Sequence, residues 1–199
     1  MRSKALGAFA GLALAAMTMP AEAAWKSYVS HALGFSFQAP GEVRTAKGTY
    51  RGAVAGPNDA ILYRAVEDNI EYRATVVDFS HRAAEGSVLM EEAAYILQDD
   101  MHMLMNDFGR VQTGKDAVYG RRMTFDLPDK GGRKSVATYF TKGRLFMLEA
   151  LVLPANGDFT SPDAGRFLDS LVFILSFTEP GATELPLPQG LSVRTGAAP

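Results

Sequence analysis

The sequence predicts an α+β fold in which a mostly antiparallel sheet of about six or seven strands is covered by helices. Three observations support this: several β-rich runs, two helical runs, and short glycine-bearing connections between the later strands. The chain has 199 residues, of which 47% are hydrophobic and 21% are charged, so it has the composition of a globular protein.

Residues 1–23 have the features of a secretory signal peptide. Arg2 and Lys4 precede an apolar run from Leu6 to Met19, and Ala21-Glu22-Ala23 supplies the small residues that signal peptidase reads. The run is shorter than the roughly 20 residues that a membrane span needs. We therefore expect cleavage after Ala23, export to the periplasm or the medium, and no membrane span in the mature chain.

Residues 24–177 are predicted to form one domain. Glu67-Asp68-Asn69 should close a hairpin, while Pro128–Gly132 and Lys142-Gly143 should join three further strands into an antiparallel meander. The predicted strands are Leu33–Gln38, Ala60–Val66, Tyr72–Phe79, Val118–Leu127, Lys134–Thr141 and Arg144–Leu153.

Two helices are predicted to cover the sheet. The first runs from about Val88 to Asp107, because apolar residues recur at three- and four-residue spacing up to Phe108. The second begins at Ser161-Pro162-Asp163, a capping residue followed by proline at the first helical position. Its expected buried face consists of Phe167, Leu168, Leu171 and Val172.

Residues 178–199 are rich in proline and glycine and have no apolar periodicity. A segment of this composition buries too little apolar surface to offset the entropy lost on ordering. We therefore predict a disordered or extended tail.

The order of these features resembles the PsbP-like family of α/β/α sandwich domains. The matching residues are Trp25-Lys26-Ser27-Tyr28 before Gly34–Pro40, Gly143–Leu148 after a tight turn, and Phe167–Leu171 leading to Phe177. The family includes extrinsic subunits of plant photosystem II and many exported bacterial proteins. The resemblance implies a non-catalytic docking module and supplies no catalytic residues.

Composition and motifs argue against several functions. The absence of cysteine excludes disulfides and thiol chemistry, and a net charge of −2 argues against nucleic-acid binding. There is no Gly-x-Ser-x-Gly or phosphate-binding loop, and no cofactor is predicted. The leading prediction is therefore a non-enzymatic binding or assembly module with an unknown protein partner. A small-ligand or copper-binding protein is the alternative, and a hydrolase built from the scattered histidines is third.

The segment Met101–Met105 contains thioether and imidazole groups, which suit copper. On a helix, Met101 and Met103 would point about 160° apart, and only His102 and Met105 would be neighbours. Those two residues are the weak metal-ligand candidates. If the segment were a strand, its three methionines would align and a copper site would be better supported.

Two charges interrupt apolar faces of predicted strands. Arg121 shares a face with Met123 and Phe125, and Glu149 shares one with Met147. Buried charges need partners, so we expect Arg121 and Glu149 to approach each other, or their faces to be only half covered.

Aromatic residues crowd the start of the mature chain. Trp25, Tyr28, Phe35 and Phe37 either fill the core face of the sheet or form a docking patch, with Trp25 and Tyr28 as its candidate contacts.

Overall fold

The computed structural model describes residues 24–154, 159–174 and 180–190; the predicted signal peptide, residues 1–23, lies outside these ranges. None of the helices in the described ranges is both long and apolar enough to cross a bilayer. The elements are the strands β1 (Trp25–Ser30), β2 (Phe35–Pro40), β3 (Arg44–Gly52), β4 (Gly56–Glu67), β5 (Ile70–Asp78), β6 (His102–Thr113), β7 (Asp116–Asp126), β8 (Arg133–Thr141), β9 (Arg144–Val152), β10 (Val172–Phe173) and β11 (Thr183–Glu184), and the helices α1 (Gly86–Gln98) and α2 (Pro162–Asp169).

Seven strands form one antiparallel sheet in the order β3-β4-β5-β9-β8-β7-β6, which confirms the predicted α+β class. The predicted hairpin joins β4 to β5, and the predicted meander runs through β7, β8 and β9. Lys142 and Gly143 have φ angles of 50° and 70°. A two-residue type I′ turn requires positive φ at both positions, which explains why this short connection closes a hairpin.

The two faces of this large sheet are covered differently. α1 packs on one face, which we call the α1 face, and buries Leu89, Ala93 and Leu97 there. A second sheet of four strands, in the order β10-β2-β1-β11, covers the opposite face together with α2. Between these layers the aromatic rings meet with centroids 5.3 to 6.3 Å apart; they belong to Phe35, Phe37, Tyr63, Phe146 and Phe167.

The prediction of one helix from Val88 to Asp107 is wrong beyond Gln98. Asp99 adopts a positive φ of 46° and ends α1. β6 then begins at His102 and pairs with β7 across the two-residue turn Gly114-Lys115. Backbone pairing with β7 therefore overrides the helical spacing of the apolar residues, as tertiary context commonly does.

The second helix begins as predicted. The Ser161 side chain accepts a hydrogen bond from the Asp163 N–H at 3.2 Å, and Pro162 occupies the first turn. Phe167 and Leu168 are buried. Val172, predicted on the buried face of this helix, instead lies in β10 and is 47% exposed, because the helix ends at Asp169.

Part of the predicted tail belongs to the fold. β11 pairs in parallel with β1, and the Leu185 N–H donates to the Val29 carbonyl at 2.7 Å. Leu185 is buried, and Glu184 forms an ion pair with His31. Of the two predicted alternatives, disordered or extended, residues 183–185 follow the extended one, because Leu185 is buried in the core and β11 pairs with β1. Residues 191–199 lie outside the described ranges.

Candidate functional site

A groove runs along α1 and has a volume of about 490 Å³. We call it the α1 groove. Val88, Glu91 and Tyr95 of α1 form one side, and the β3–β4 turn contributes Ala53 and Val54. The side formed by β6 and β7 consists of Met103, Asn106, Arg121 and Met123.

Glu92 fixes the β3–β4 turn against α1. Its carboxylate accepts hydrogen bonds from the backbone N–H groups of Val54 and Ala55. It also accepts a bond from the Tyr50 hydroxyl at 3.2 Å. Burial, with the nearby Glu92 charge, raises the pKa of Tyr50, so this hydroxyl stays protonated and donates. Gly52 leaves room for the carboxylate, because a Cβ there would lie 2.5 Å from Glu92 Cδ.

Arg121 supplies the cation of the groove. Its guanidinium donates to the Glu91 carboxylate at 2.6 Å and to the Asn106 side-chain oxygen at 3.4 Å. The bond to Glu91 joins β7 to α1 at the wall of the groove. The groove thus carries one positioned ion pair beside apolar side chains and the polar side chains of Glu92, Gln98 and Asn106.

The predicted approach of Arg121 to Glu149 is wrong. Both residues lie on the α1 face, but on different strands: Arg121 is on β7 and Glu149 is on β9, with β8 between them. The β9 residue level with Arg121 is Met147, and Glu149 lies two residues beyond it. The Glu149 carboxylate instead lies 3.7 Å from Arg73 and 3.7 Å from Lys134. Arg121 is therefore compensated by Glu91 of α1, and Glu149 by its neighbours Arg73 and Lys134 on the sheet.

Exposed apolar side chains surround the α1 groove. Tyr95 on α1 is 81% exposed and Phe108 on β6 is 87% exposed, while Val54 and Val88 are about half exposed. Exposed apolar residues clustered in this way commonly mark an interaction surface.

The aromatic residues Trp25 and Tyr28 do not form an exposed patch. Tyr28 is buried and its hydroxyl donates to the Gly41 carbonyl at 2.6 Å. Trp25 packs edge-on against Tyr72, with ring centroids 5.8 Å apart, and the Arg166 guanidinium lies 4.1 Å from its centroid. The proposed docking role of Trp25 and Tyr28 is therefore replaced by a packing role.

The segment Met101–Met105 enters a strand, but its methionines do not align. Met103 lies opposite Phe125, whereas Met105 lies opposite Thr124, because Leu104 forms a β-bulge between them. Met103 therefore faces α1 and Met105 faces the other way. The register puts His102 on the same face as Met105, at the exposed start of β6.

The described residues contain no group of three or more His, Cys, Asp or Glu side chains placed to hold a metal ion. His31 pairs with Glu184 at the surface, but the adjacent Ser30 has no exposed surface, so its hydroxyl is inaccessible to a substrate.

No protein-family model matches the chain, and no curated protein matches it.

Arg121 was expected from the sequence to be a site residue, whereas the α1 groove that it lines was not predicted. Val88 and Tyr95 are the signal that was available, since both lie off the buried stripe of α1. The contact between Glu92 and the β3–β4 turn could not be predicted from the sequence. Residues 54 and 92 are 38 positions apart, and only the folded sheet brings them together.

Proposed function

We propose that this protein is an exported, non-catalytic binding or assembly module that holds a protein partner in the α1 groove. One observation supports the proposal: the exposed apolar side chains of Val88, Tyr95 and Val54 line a groove that also contains the Arg121–Glu91 ion pair. A partner segment that inserts an apolar side chain beside Val88, and places a polar group near Arg121, fits this chemistry.

We also propose that the protein is a PsbP-like domain and that it is exported. A seven-stranded antiparallel sheet between α1 and a layer containing α2 is compatible with a PsbP-like α/β/α sandwich, although β1, β2, β10 and β11 share the second layer. The apolar run before Ala23 supports export to the periplasm or the medium.

Site-specific photocross-linking in the native compartment tests the partner. A photoreactive amino acid at Tyr95 should yield one discrete adduct. The same amino acid at Val66 is the matched control, because Val66 is 59% exposed and lies outside the α1 groove. Identical adducts at both positions, or none at Tyr95, would argue against a partner in the groove.

A second pair of variants ties the adduct to the groove. Val88→Asp places a charge in the groove and should abolish the Tyr95 adduct, whereas Val66→Asp should leave it unchanged. Since Val88 and Val66 are both about half exposed, neither substitution should unfold the protein.

The groove volume favours a small ligand as a second candidate. About 490 Å³ falls within the roughly 300–1,000 Å³ of typical ligand sites, and Arg121 offers a hydrogen-bond donor. A thermal-shift screen of amphipathic compounds, repeated on Val88→Asp, tests it; a hit that stabilises the wild type alone favours this candidate.

A further inference from the structure

β6 forms one edge of the seven-stranded sheet, and no strand among the described residues pairs with its outer side. Natural edge strands are commonly short or interrupted by proline and lysine, because free backbone groups invite another strand. β6 is 12 residues long and contains neither proline nor lysine. Its protection consists of the β-bulge at Leu104, near its start, and of the charged side chains of Asp107 and Arg110.

The turn after β6 determines which backbone groups face outward. Thr113 and Asp116 are paired across a two-residue turn, so their backbones exchange two hydrogen bonds. Going back along β6 from Thr113, hydrogen-bonded pairs with β7 alternate with pairs that are not hydrogen-bonded. The N–H and C=O groups of Asn106, Phe108 and Arg110 therefore point away from β7. The Phe108 N–H is consistent with this, since it donates to the Asp107 carboxylate at 2.7 Å rather than to β7.

We propose that a second copy of this chain pairs antiparallel with β6, on a two-fold axis through Phe108. A two-fold axis perpendicular to the sheet places the central residue of one copy opposite the same residue of the other copy. Residues equally far from the centre on its two sides then pair, so the numbers of two paired residues always add up to the same even value. Centring it on Asp107 or on Arg110 would put like charges opposite each other, which destabilises a strand pair. Centring it on Phe108 avoids both and pairs the regular part of the strand, from residue 105 to residue 111.

Phe108 makes the strand self-complementary in this register. The two Phe108 rings, each 87% exposed in the single chain, lie opposite each other on the α1 face. Asn106 of each copy lies opposite Arg110 of the other, an amide oxygen facing a guanidinium. The net charge of −2 opposes association only weakly. The result is a continuous antiparallel sheet across the two copies.

Cysteine trapping tests the register, because the chain has no cysteine of its own. In a hydrogen-bonded antiparallel pair the opposed Cα atoms lie about 5.5 Å apart, within the roughly 4.4–6.8 Å that a disulfide spans. Phe108→Cys should therefore form a disulfide-linked dimer on mild oxidation. Tyr119→Cys is the control: it is exposed on the same face but lies one strand further in and level with Arg110, about 20 Å from its copy.

Sedimentation of the purified protein over a range of concentrations supplies the second measurement. The wild type should show a concentration-dependent dimer, Phe108→Arg should be monomeric, and Tyr119→Arg should still dimerise. Circular dichroism should show all three folded, since both side chains are largely exposed. A wild type that stays monomeric and a Phe108→Cys variant that cross-links no faster than Tyr119→Cys would overturn the proposal, as would a dimer that persists in Phe108→Arg.

This test is independent of the proposed partner binding, because the purified chain is present alone. A monomer that still yields the Tyr95 adduct would remove the dimer and leave the groove function standing.

Discussion

The guanidinium of Arg121 and the carboxylate of Glu91 lie 2.6 Å apart, across the gap between β7 and α1. The side chains are 36% and 68% exposed, so solvent screens the pair and its contribution to stability is small. The pair therefore adds little to the stability of the fold, but it fixes the positions of both side chains in the α1 groove. Such fixed polar groups are suited to the recognition of a binding partner.

We expect Arg121→Gln to lower the free energy of unfolding by no more than about 1 kcal/mol and to reduce the Tyr95 photoadduct severalfold. Urea denaturation and quantified cross-linking measure the two effects. Arg122→Gln is the matched control, because Arg122 pairs with Asp169, on the face opposite α1. Equal loss of the adduct in both variants would contradict a specific role for Arg121.

Two glycines of β6 and β7 accommodate Tyr139 of β8. A Cβ on Gly109 would lie 2.7 Å from the Tyr139 hydroxyl oxygen, and one on Gly120 would overlap the Thr138 carbonyl. Gly120→Ala should therefore destabilise the protein by roughly 1–3 kcal/mol, the usual cost of overpacking a core.

Gly165 provides the opposite case for comparison. It lies inside α2, and a Cβ there would meet nothing within 4 Å. Gly165→Ala should stabilise the protein by about 0.5–1 kcal/mol, because alanine loses less backbone entropy in a helix. Denaturation midpoints of the two variants that move in the same direction would refute this interpretation of the glycines.

The elements that sequence predicted correctly are those with local signals. The Lys142-Gly143 turn joins two β-rich runs, and Ser161-Pro162 marks a helix start whatever surrounds it. The class of the fold, its hairpin and its meander follow from such signals.

The elements that sequence missed depend on distant partners. The spacing from Leu104 to Phe108 suits a helix, and only the pairing of β6 with β7 makes it a strand. Likewise, Arg121 and Glu149 needed partners, but Glu91 and Arg73 became those partners through strand order and register. The α1 groove was missed for the same reason.

Glu71 should make stability depend on pH. Burial alone would raise the pKa of its carboxyl, but hydrogen bonds from Arg73 and Arg64 outweigh burial and hold the pKa below its ordinary value. A lowered folded-state pKa stabilises the protein above the unfolded value of about 4.3, and that stability is lost as pH falls through the folded pKa.

The measurement is the free energy of unfolding of wild type and Glu71→Gln between neutral and acidic pH. The variant should be less stable by roughly 1–3 kcal/mol at pH 7, and the difference should shrink below about pH 4. Asp59→Asn is the control, because the Asp59–Lys47 pair is about half exposed. A difference that stays constant down to acid pH would show that the charge of Glu71 is not the cause.

Leu185 should decide whether β11 stays attached to β1. Its side chain is 4% exposed and its N–H bonds to Val29, so this one residue supplies both packing and pairing to a two-residue strand. Leu185→Ala should lower the free energy of unfolding by up to about 2–5 kcal/mol if β11 stays paired with β1. We expect a smaller global loss, because a short terminal strand can detach without unfolding the domain. In Leu185→Ala, amide hydrogen exchange should become fast at residues 183–185 and remain slow in β2. Leu153→Ala is the control: it truncates a side chain that is 45% exposed and should leave exchange unchanged in both segments.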